Sequence, residues 1–138
     1  MTPCFLNVDL DIESRSRLDS LAADMGKRVF VLQSGPATNA TRHLLRLECS
    51  RTHKGPDATI HTLCSAVEKL SPASRRIWDA ARKEFNVGYE LRSSERLSWF
   101  TLRPDTLLRV ASLGASLTVT YYRAEISEKE FPSHRASR

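Results

Sequence analysis

Three acidic residues near the start of the chain occupy every second position. Asp9, Asp11 and Glu13 alternate with apolar residues, so they share one face if the segment is a β-strand. Carboxylates on one face could bind a hard cation or act as an acid/base pair. Same-face neighbours on a strand are roughly 6.5–7 Å apart, however, which is wide for sharing one ion. The favoured interpretation is a solvated face whose acids pair with Arg42 and Arg46 on a neighbouring strand.

Cysteine and histidine side chains form a second candidate site, because thiolate and imidazole are natural ligands of zinc. Three residues separate Cys49 from His53, and two separate His61 from Cys64, which would lie one helical turn apart. Only the second spacing is typical of a metal site, and no paired C-x-x-C motif occurs. Cys49 also fits the inner face of a strand, and Cys64 fits the apolar stripe of a helix. We therefore interpret both as small buried side chains and predict no metal or cofactor.

Basic residues form the third candidate, since phosphate binding needs positive charges that converge on one surface. A sheet that binds single-stranded RNA also needs exposed aromatic side chains for stacking, and the aromatic positions here do not match that pattern. The residues at positions 75, 76, 82 and 83 are more simply explained as the wet face of a helix. The candidate phosphate-binding residues are Arg42, Arg46, Arg51, Lys54, Arg75, Arg76, Arg82 and Lys83.

Common catalytic and nucleotide-binding motifs are absent from the sequence. It contains no G-x-S-x-G, no Walker loop, no G-x-G-x-x-G and no H-E-x-x-H. Cys64 with His61 is conceivable as a nucleophile pair, but the pair lacks an orienting third group. These observations favour a protein that is not an enzyme, and we predict no catalytic residue.

The elements that position these side chains follow from apolar periodicity. Spacing of two predicts strands, and spacing of three and four predicts helices. Gly26 and Gly114 each end a predicted helix and lead into a strand. The predicted strands cover residues 4–13, 28–32, 42–49, 87–92, 98–102 and 115–123. The predicted helices lie before Gly26, over 57–70, from Ser71 through Phe85, and from Pro104 to Gly114 with Leu107, Leu108 and Ala111 as its apolar face.

This order of elements predicts an α+β fold. We expect a single mixed β-sheet with helices packed mainly on one face, ferredoxin-like in character. In the last strand, period two places Leu117, Val119 and Tyr121 in the core. Residues 1–123 are predicted to form one domain. Residues 124–138 are charged and polar without a period, so they are predicted to be a flexible charged tail.

The last helix and strand carry a resemblance to a known family. Residues 102–121 (LRPDTLLRVASLGASLTVTY) look like the closing helix and strand of the bacterial domain of unknown function 4279. Residues 63–70 (LCSAVEKL), 77–81 (IWDAA) and 85–88 (FNVG) also resemble small uncharacterised bacterial proteins with that ending. The resemblance could cover residues 4–123, and it implies a bacterial, cytoplasmic α+β domain. It supplies no catalytic residues.

Composition and charge restrict the class of protein. The hydrophobic content of 41% argues against global disorder, and no apolar run is long enough to span a bilayer. Three cysteines without close pairs do not form a disulfide framework, and we expect no signal peptide and a cytoplasmic location. The net charge is +5, but residues 1–26 hold five acidic and two basic residues, a net of −3. This polarisation suits a protein partner as well as a polyanion.

The leading functional hypothesis is therefore a non-enzymatic, cytoplasmic protein-binding module of the immunity or regulatory type. The predicted binding residues are Asp9, Asp11, Glu13, Arg42, Arg46, Arg75, Arg76, Arg82 and Lys83. The alternative is a nucleic-acid-binding protein that uses basic residues in 42–54 and 75–103. A metal-binding protein or an enzyme ranks third, and no membrane partner is expected.

Overall fold

The computed structural model describes residues 5–37, 41–51, 53–91 and 99–123. Within these ranges the chain forms five strands, four α-helices and one short 3₁₀ turn. In chain order they are β1 (Phe5–Ser14), α1 (Asp19–Met25), the 3₁₀ turn (Gly26–Arg28), β2 (Val29–Pro36), β3 (His43–Cys49), α2 (Pro56–Glu68), α3 (Pro72–Ala80), β4 (Arg82–Leu91), α4 (Pro104–Ser112) and β5 (Ser116–Arg123). The predicted tail, residues 124–138, lies outside the described residues.

The strands form one mixed sheet in the order β2-β3-β1-β4-β5. Neighbouring strands are antiparallel except β4 and β5, which are parallel and joined through α4. A parallel pair needs such a crossover connection, because the chain must return to the same end of the sheet. The predicted α+β fold with a single mixed sheet is confirmed. Its ferredoxin-like character stays a prediction.

Period two in β1 separates the two faces of the sheet. Val8, Leu10 and Ile12 are almost completely buried, whereas Asp9 and Asp11 between them are only partly covered. The buried residues of β1 belong to one core with residues from all four helices. The largest members of that core from outside β1 are Trp78, Phe85, Leu21, Met25, Leu45, Leu47, Ile60 and Leu63. The helices therefore pack on one face of the sheet.

The third helix ends earlier than the sequence predicts. We expected a helix from Ser71 through Phe85, but α3 stops at Ala80 and β4 begins at Arg82. Lys83 explains the stop, because its Nζ donates hydrogen bonds to the carbonyl oxygens of Trp78 at 2.9 Å and Asp79 at 3.2 Å. The last carbonyls of an α-helix lack the usual partner four residues on, and at the end of α3 the N–H of Ala81 also donates to the carbonyl oxygen of Trp78, at 3.1 Å. Phe85 consequently belongs to a strand.

The predicted strand over 98–102 is wrong for the residues that the structure describes. Residues 99–102 have no regular secondary structure, and residue 98 lies outside the described ranges. The backbone N–H of Arg103 donates to Asp57 Oδ1 at 2.9 Å, which holds the start of α4 against α2. Pro104 follows at the first turn of α4, where its missing N–H costs nothing.

The apolar face predicted for the last helix is also wrong. Leu107 and Leu108 are 48% and 67% exposed, whereas Thr106 and Val110 point into the core. In β5, Leu117 and Val119 pack against the core but are only half-buried, and the predicted core residue Tyr121 is exposed. The reason is that β5 is an edge strand, so no further strand covers its outer side. No helix in the described ranges is long and apolar enough to cross a membrane.

Candidate functional site

The sheet face opposite the helices carries a dense set of charged and polar side chains. We call it the open sheet face and define it by Asn7, Asp9, Asp11 and Glu13 on β1, Arg42 next to β3, Arg46 and Glu48 on β3, Arg82, Glu84 and Asn86 on β4, and Thr118 and Thr120 on β5. These residues occupy the alternate positions whose neighbours are in the core, so period two fixes their direction. The face holds five carboxylates and three guanidinium groups, although the whole chain has a net charge of +5.

Two arginines pair with acids of β1 on this face. Arg46 Nε lies 2.8 Å from Asp11 Oδ1, and Arg42 Nε lies 3.7 Å from Glu13 Oε1. The hydrogen bond to Asp11 also raises the pKa of Arg46. The predicted pairing with Arg46 and Arg42 is confirmed for Asp11 and Glu13, whereas Asp9 accepts a hydrogen bond from Asn7. Half of the Arg46 side chain stays exposed, so this pair contributes little to stability.

Like charges also face each other across the strands. Asp9 lies directly opposite Glu48 in the pairing of β1 with β3, and Asp11 lies opposite Glu84 in the pairing of β1 with β4. Like charges directly opposite each other in a sheet are destabilising. Asn7 offsets part of the first repulsion, since its Nδ2 lies 3.2 Å from Asp9 Oδ1 and 3.5 Å from Glu48 Oε2. No hydrogen bond or ion pair of Glu84 with another described side chain offsets the second.

The pKa of Asp9 is raised above its ordinary value. Burial of the carboxyl group is the largest cause, and the charges of Asp11 and Glu48 add to it. Arg46 opposes the shift without cancelling it. Ionisation of Asp9 is therefore less favourable in the folded protein than in the unfolded chain. A cation brought to this position would stabilise the ionised carboxylate.

A shallow groove of about 260 Å³ crosses the open sheet face. Its charged lining consists of Asp11, Glu13, Glu84, Arg46 and Arg82, and Leu44 supplies apolar surface. Within the described ranges, no three His, Cys, Asp or Glu residues are arranged to hold a metal ion. The arrangement is suited to exchanging ion pairs with an incoming charged group.

The predicted basic residues do not converge on one surface. Arg75 and Arg76 lie on α3, in the helical layer, where Arg75 Nε pairs with Asp79 Oδ1 at 3.2 Å. The interpretation of Arg82 and Lys83 as part of a wet helix face is wrong, because both lie on β4. Arg82 joins the open sheet face, whereas Lys83 is buried on the helical side and burial lowers its pKa.

The cysteine and histidine candidates are also separated. Cys49 and His53 line a groove at one end of the sheet. His61 lies on α2 and its side chain contacts α4. Its Nδ1 is 2.6 Å from Arg109 Nη1 and its Nε2 is 3.2 Å from Asp105 Oδ2. Cys64 is buried, and desolvation raises the pKa of its thiol to about 11. A thiol with that pKa is a packing residue and a poor nucleophile or metal ligand at neutral pH.

Several members of the open sheet face were not among the predicted residues. Glu48 alternates with the buried Leu45 and Leu47, so period two could have identified it. Glu84 was hidden by the incorrect extension of α3 to Phe85, and Asn86 lay between that predicted helix and the strand predicted from residue 87. Asn7 sits on the predicted face of β1, but only the register places it beside Glu48.

Comparison with protein-family models, curated proteins and solved structures finds no match for this chain. The resemblance of residues 102–121 to the domain of unknown function 4279 therefore stays a prediction.

Proposed function

We propose that this chain is a non-enzymatic, cytoplasmic protein-binding module of the immunity or regulatory type, which binds a cationic surface of another protein through the open sheet face. The observation that carries the proposal is the strand register that sets acids opposite each other on that face, Asp9 with Glu48 and Asp11 with Glu84. Directly opposed like charges cost up to about 1 kcal/mol each, of which Asn7 and Arg46 offset a part in the free protein. A partner's lysine or arginine placed between the acids would remove this cost.

Charge complementarity with such a partner would make binding specific and association fast. Complementary charges steer two proteins together and disfavour partners with the same sign of charge. Arg46 and Arg82 flank the groove and limit which cations can approach, because a partner must place its own charge between them. Acidic and basic groups together therefore favour a defined partner surface over any basic polymer.

A nucleic acid remains the alternative partner. Its phosphates would be repelled by the acids of the open sheet face. The exposed aromatic residues whose register puts them on this side of the sheet, Phe30 and Tyr122, lie on the edge strands β2 and β5, with the acids between them. The described basic residues in 42–51 and 75–83 lie on several surfaces, with Arg42, Arg46 and Arg82 on the open sheet face and Arg75 and Arg76 on α3, so few could contact one strand together. These features favour the protein partner.

The cytoplasmic location is supported by cysteine use. Cys49 and Cys64 are both free thiols, as expected for a reducing compartment. A bacterial source is part of the same proposal and depends on the resemblance of residues 102–121.

The experiment measures binding of fluorescent nona-arginine by anisotropy at low salt, with nona-glutamate and single-stranded RNA as comparison probes. The double variant Glu48→Gln/Glu84→Gln should bind nona-arginine roughly five- to tenfold more weakly. Asp19→Asn is the matched control, because this exposed acid lies on α1 in the helical layer and should change binding less than about twofold. Equal losses in both variants, or tighter binding of RNA than of nona-arginine, would contradict the proposal.

A further inference from the structure

The sheet is incomplete at one end of its central strand. Pairing of β1 with β3 begins at Asp9 and Glu48, so residues 5–8 have no strand partner on that side within the described part of the chain. Beyond Glu48 the chain of β3 continues beside β2 and no longer pairs with β1. The N–H of Ser50 donates to the carbonyl oxygen of Arg28, just before β2, at 3.0 Å. Alternate residues of a strand direct their backbone N–H and C=O groups to the same side. Residues 5–8 therefore offer backbone groups for strand pairing, with the alternation interrupted by an irregularity of register between Phe5 and Asn7.

A groove of about 200 Å³ occupies this gap, and we call it the end groove. It is lined by Phe5, Leu6, Asn7, Val8, Phe30, Glu48, Cys49, Ser50, Arg51, His53 and Thr59. Leu6 and Phe30 are 49% and 56% exposed, so the groove has apolar walls that face solvent. Ligand pockets for small molecules usually have volumes of 300–1,000 Å³, so this groove is suited to a side chain or two of a larger partner.

The imidazole of His53 supplies a second observation at the same place. Its Nε2 atom is buried and has no hydrogen-bond partner among the residues that the structure describes. Buried polar atoms are nearly always paired, and an unpaired one calls for a missing group. An amide of an incoming chain could provide that group once the His53 ring turns toward the groove, because an amide both donates and accepts hydrogen bonds.

We propose that the end groove binds an extended peptide segment of the partner protein, which adds as a strand beside residues 5–8. This inference depends on the proposed function and names the element that the partner presents. Main-chain hydrogen bonds supply affinity in such strand addition, and alternate side chains supply specificity.

The two sides of the added strand would meet different chemistry. On the helical side its side chains contact Phe5, Val8 and His53, which favours apolar residues. On the opposite side they reach Asn7 and Glu48, where the acids of the open sheet face begin. The segment should therefore alternate apolar and basic residues, and its basic side chains would bind the same acids as the cationic surface.

The test uses the full chain and the capped peptide acetyl-Val-Arg-Val-Arg-Val-amide, with binding measured by calorimetry. Two further peptides carry a single N-methyl group, one on the central valine and one on the adjacent arginine. Because adjacent N–H groups of a strand point to opposite sides, one N-methyl peptide should bind about tenfold more weakly and the other nearly unchanged. Amide hydrogen exchange should slow at Leu6 to Val8 when the peptide is bound.

Variants of the protein localise the peptide. His53→Leu and Phe30→Ser should each weaken binding about fivefold, because they remove a hydrogen-bonding group and an apolar wall. Leu108→Ser is the control, since Leu108 is an exposed apolar residue on α4 and should have no effect.

The outcomes separate the two proposals. Equal binding of both N-methyl peptides, or slowed exchange at Phe30 to Leu32 on β2 in place of Leu6 to Val8, would overturn strand addition in the end groove. The proposed function would stand in that case if Glu48→Gln/Glu84→Gln still weakened nona-arginine binding. Absence of binding by the peptide and by nona-arginine would overturn both.

Discussion

Substitution of Asp9 by asparagine should stabilise the free protein at neutral pH. Asparagine keeps the shape of the side chain and an Oδ1 atom that can accept the hydrogen bond from Asn7 Nδ2, at 3.2 Å in the structure. It removes the charge that burial, Asp11 and Glu48 make unfavourable. Relief of one directly opposed like-charge pair amounts to roughly 0.2–1 kcal/mol. Since Arg46 already offsets part of the repulsion, we expect a gain in the lower half of that range, about 0.5 kcal/mol or less, in the free energy of unfolding.

The gain should depend on pH with a defined sign. The folded state holds the Asp9 proton more tightly than the unfolded state, in which the carboxyl has its ordinary pKa of about 3.8. The wild type therefore loses stability as the pH rises through the raised pKa of the folded state, and Asp9→Asn avoids this loss. The variant should exceed the wild type at pH 7, and the difference should vanish near pH 2.5, where the carboxyl is protonated in both states. Urea unfolding of both proteins, followed by tryptophan fluorescence at both pH values, measures this difference in the free energy of unfolding.

Asp19→Asn is the matched control for this experiment. Asp19 lies in the first turn of α1 and pairs with Arg17 at 2.8 Å, with both side chains largely exposed. Its replacement should lower stability slightly, by less than about 0.5 kcal/mol. Our account of Asp9 would be refuted if Asp9→Asn lowered stability at pH 7, or if its gain persisted unchanged in acid.

Three further experiments test other parts of the fold. A variant that retains Cys64 as its only cysteine should not react with a thiol reagent at pH 8 until it is unfolded, because burial raises the pKa of this thiol to about 11. Rapid reaction of the folded protein would contradict this expectation. Arg109→Ala should remove the bidentate pair with Glu68 and cost about 1 kcal/mol in urea unfolding. Because that pair lowers the pKa of Glu68, the wild type should lose this stability as the pH falls through the lowered value, whereas the variant should not. Val119→Asp should destabilise by about 2 kcal/mol and Thr118→Asp by less than about 1 kcal/mol, and equal effects would show that the register of β5 is wrong.

Local patterns were sufficient to predict β1 and the side of it that faces solvent. Alternation is a property of neighbouring residues, so Asp9 and Asp11 could be placed on one face without knowing the fold. The partner Arg46 was predictable for the same reason, because β3 also alternates. Glu84 was not, since its position opposite Asp11 depends on the order of strands that are far apart in sequence.

Errors arose where packing overrides local preference. Lys83 reads as an exposed polar residue of a helix, yet its long side chain reaches back to the end of α3 and is buried there. Leu108 reads as a core residue, yet α4 turns Thr106 and Val110 inward. The hydrogen bond from Arg103 to Asp57 helps to fix where that helix starts, and no local pattern reveals such a contact between distant segments.

The central position of β1 affects how the protein can be made. Its first residues leave the ribosome before any other strand, but both of its neighbours, β3 and β4, are synthesised much later. The pairing of Val8 with Val87 spans more than half of the chain, so the edge of β1 that pairs with β4 stays without its partner until β4 has emerged. Such long-range pairing folds slowly and leaves strand edges open to other chains. The alternating acids of β1 would then act during synthesis as well, because their mutual repulsion discourages two nascent chains from pairing through this strand.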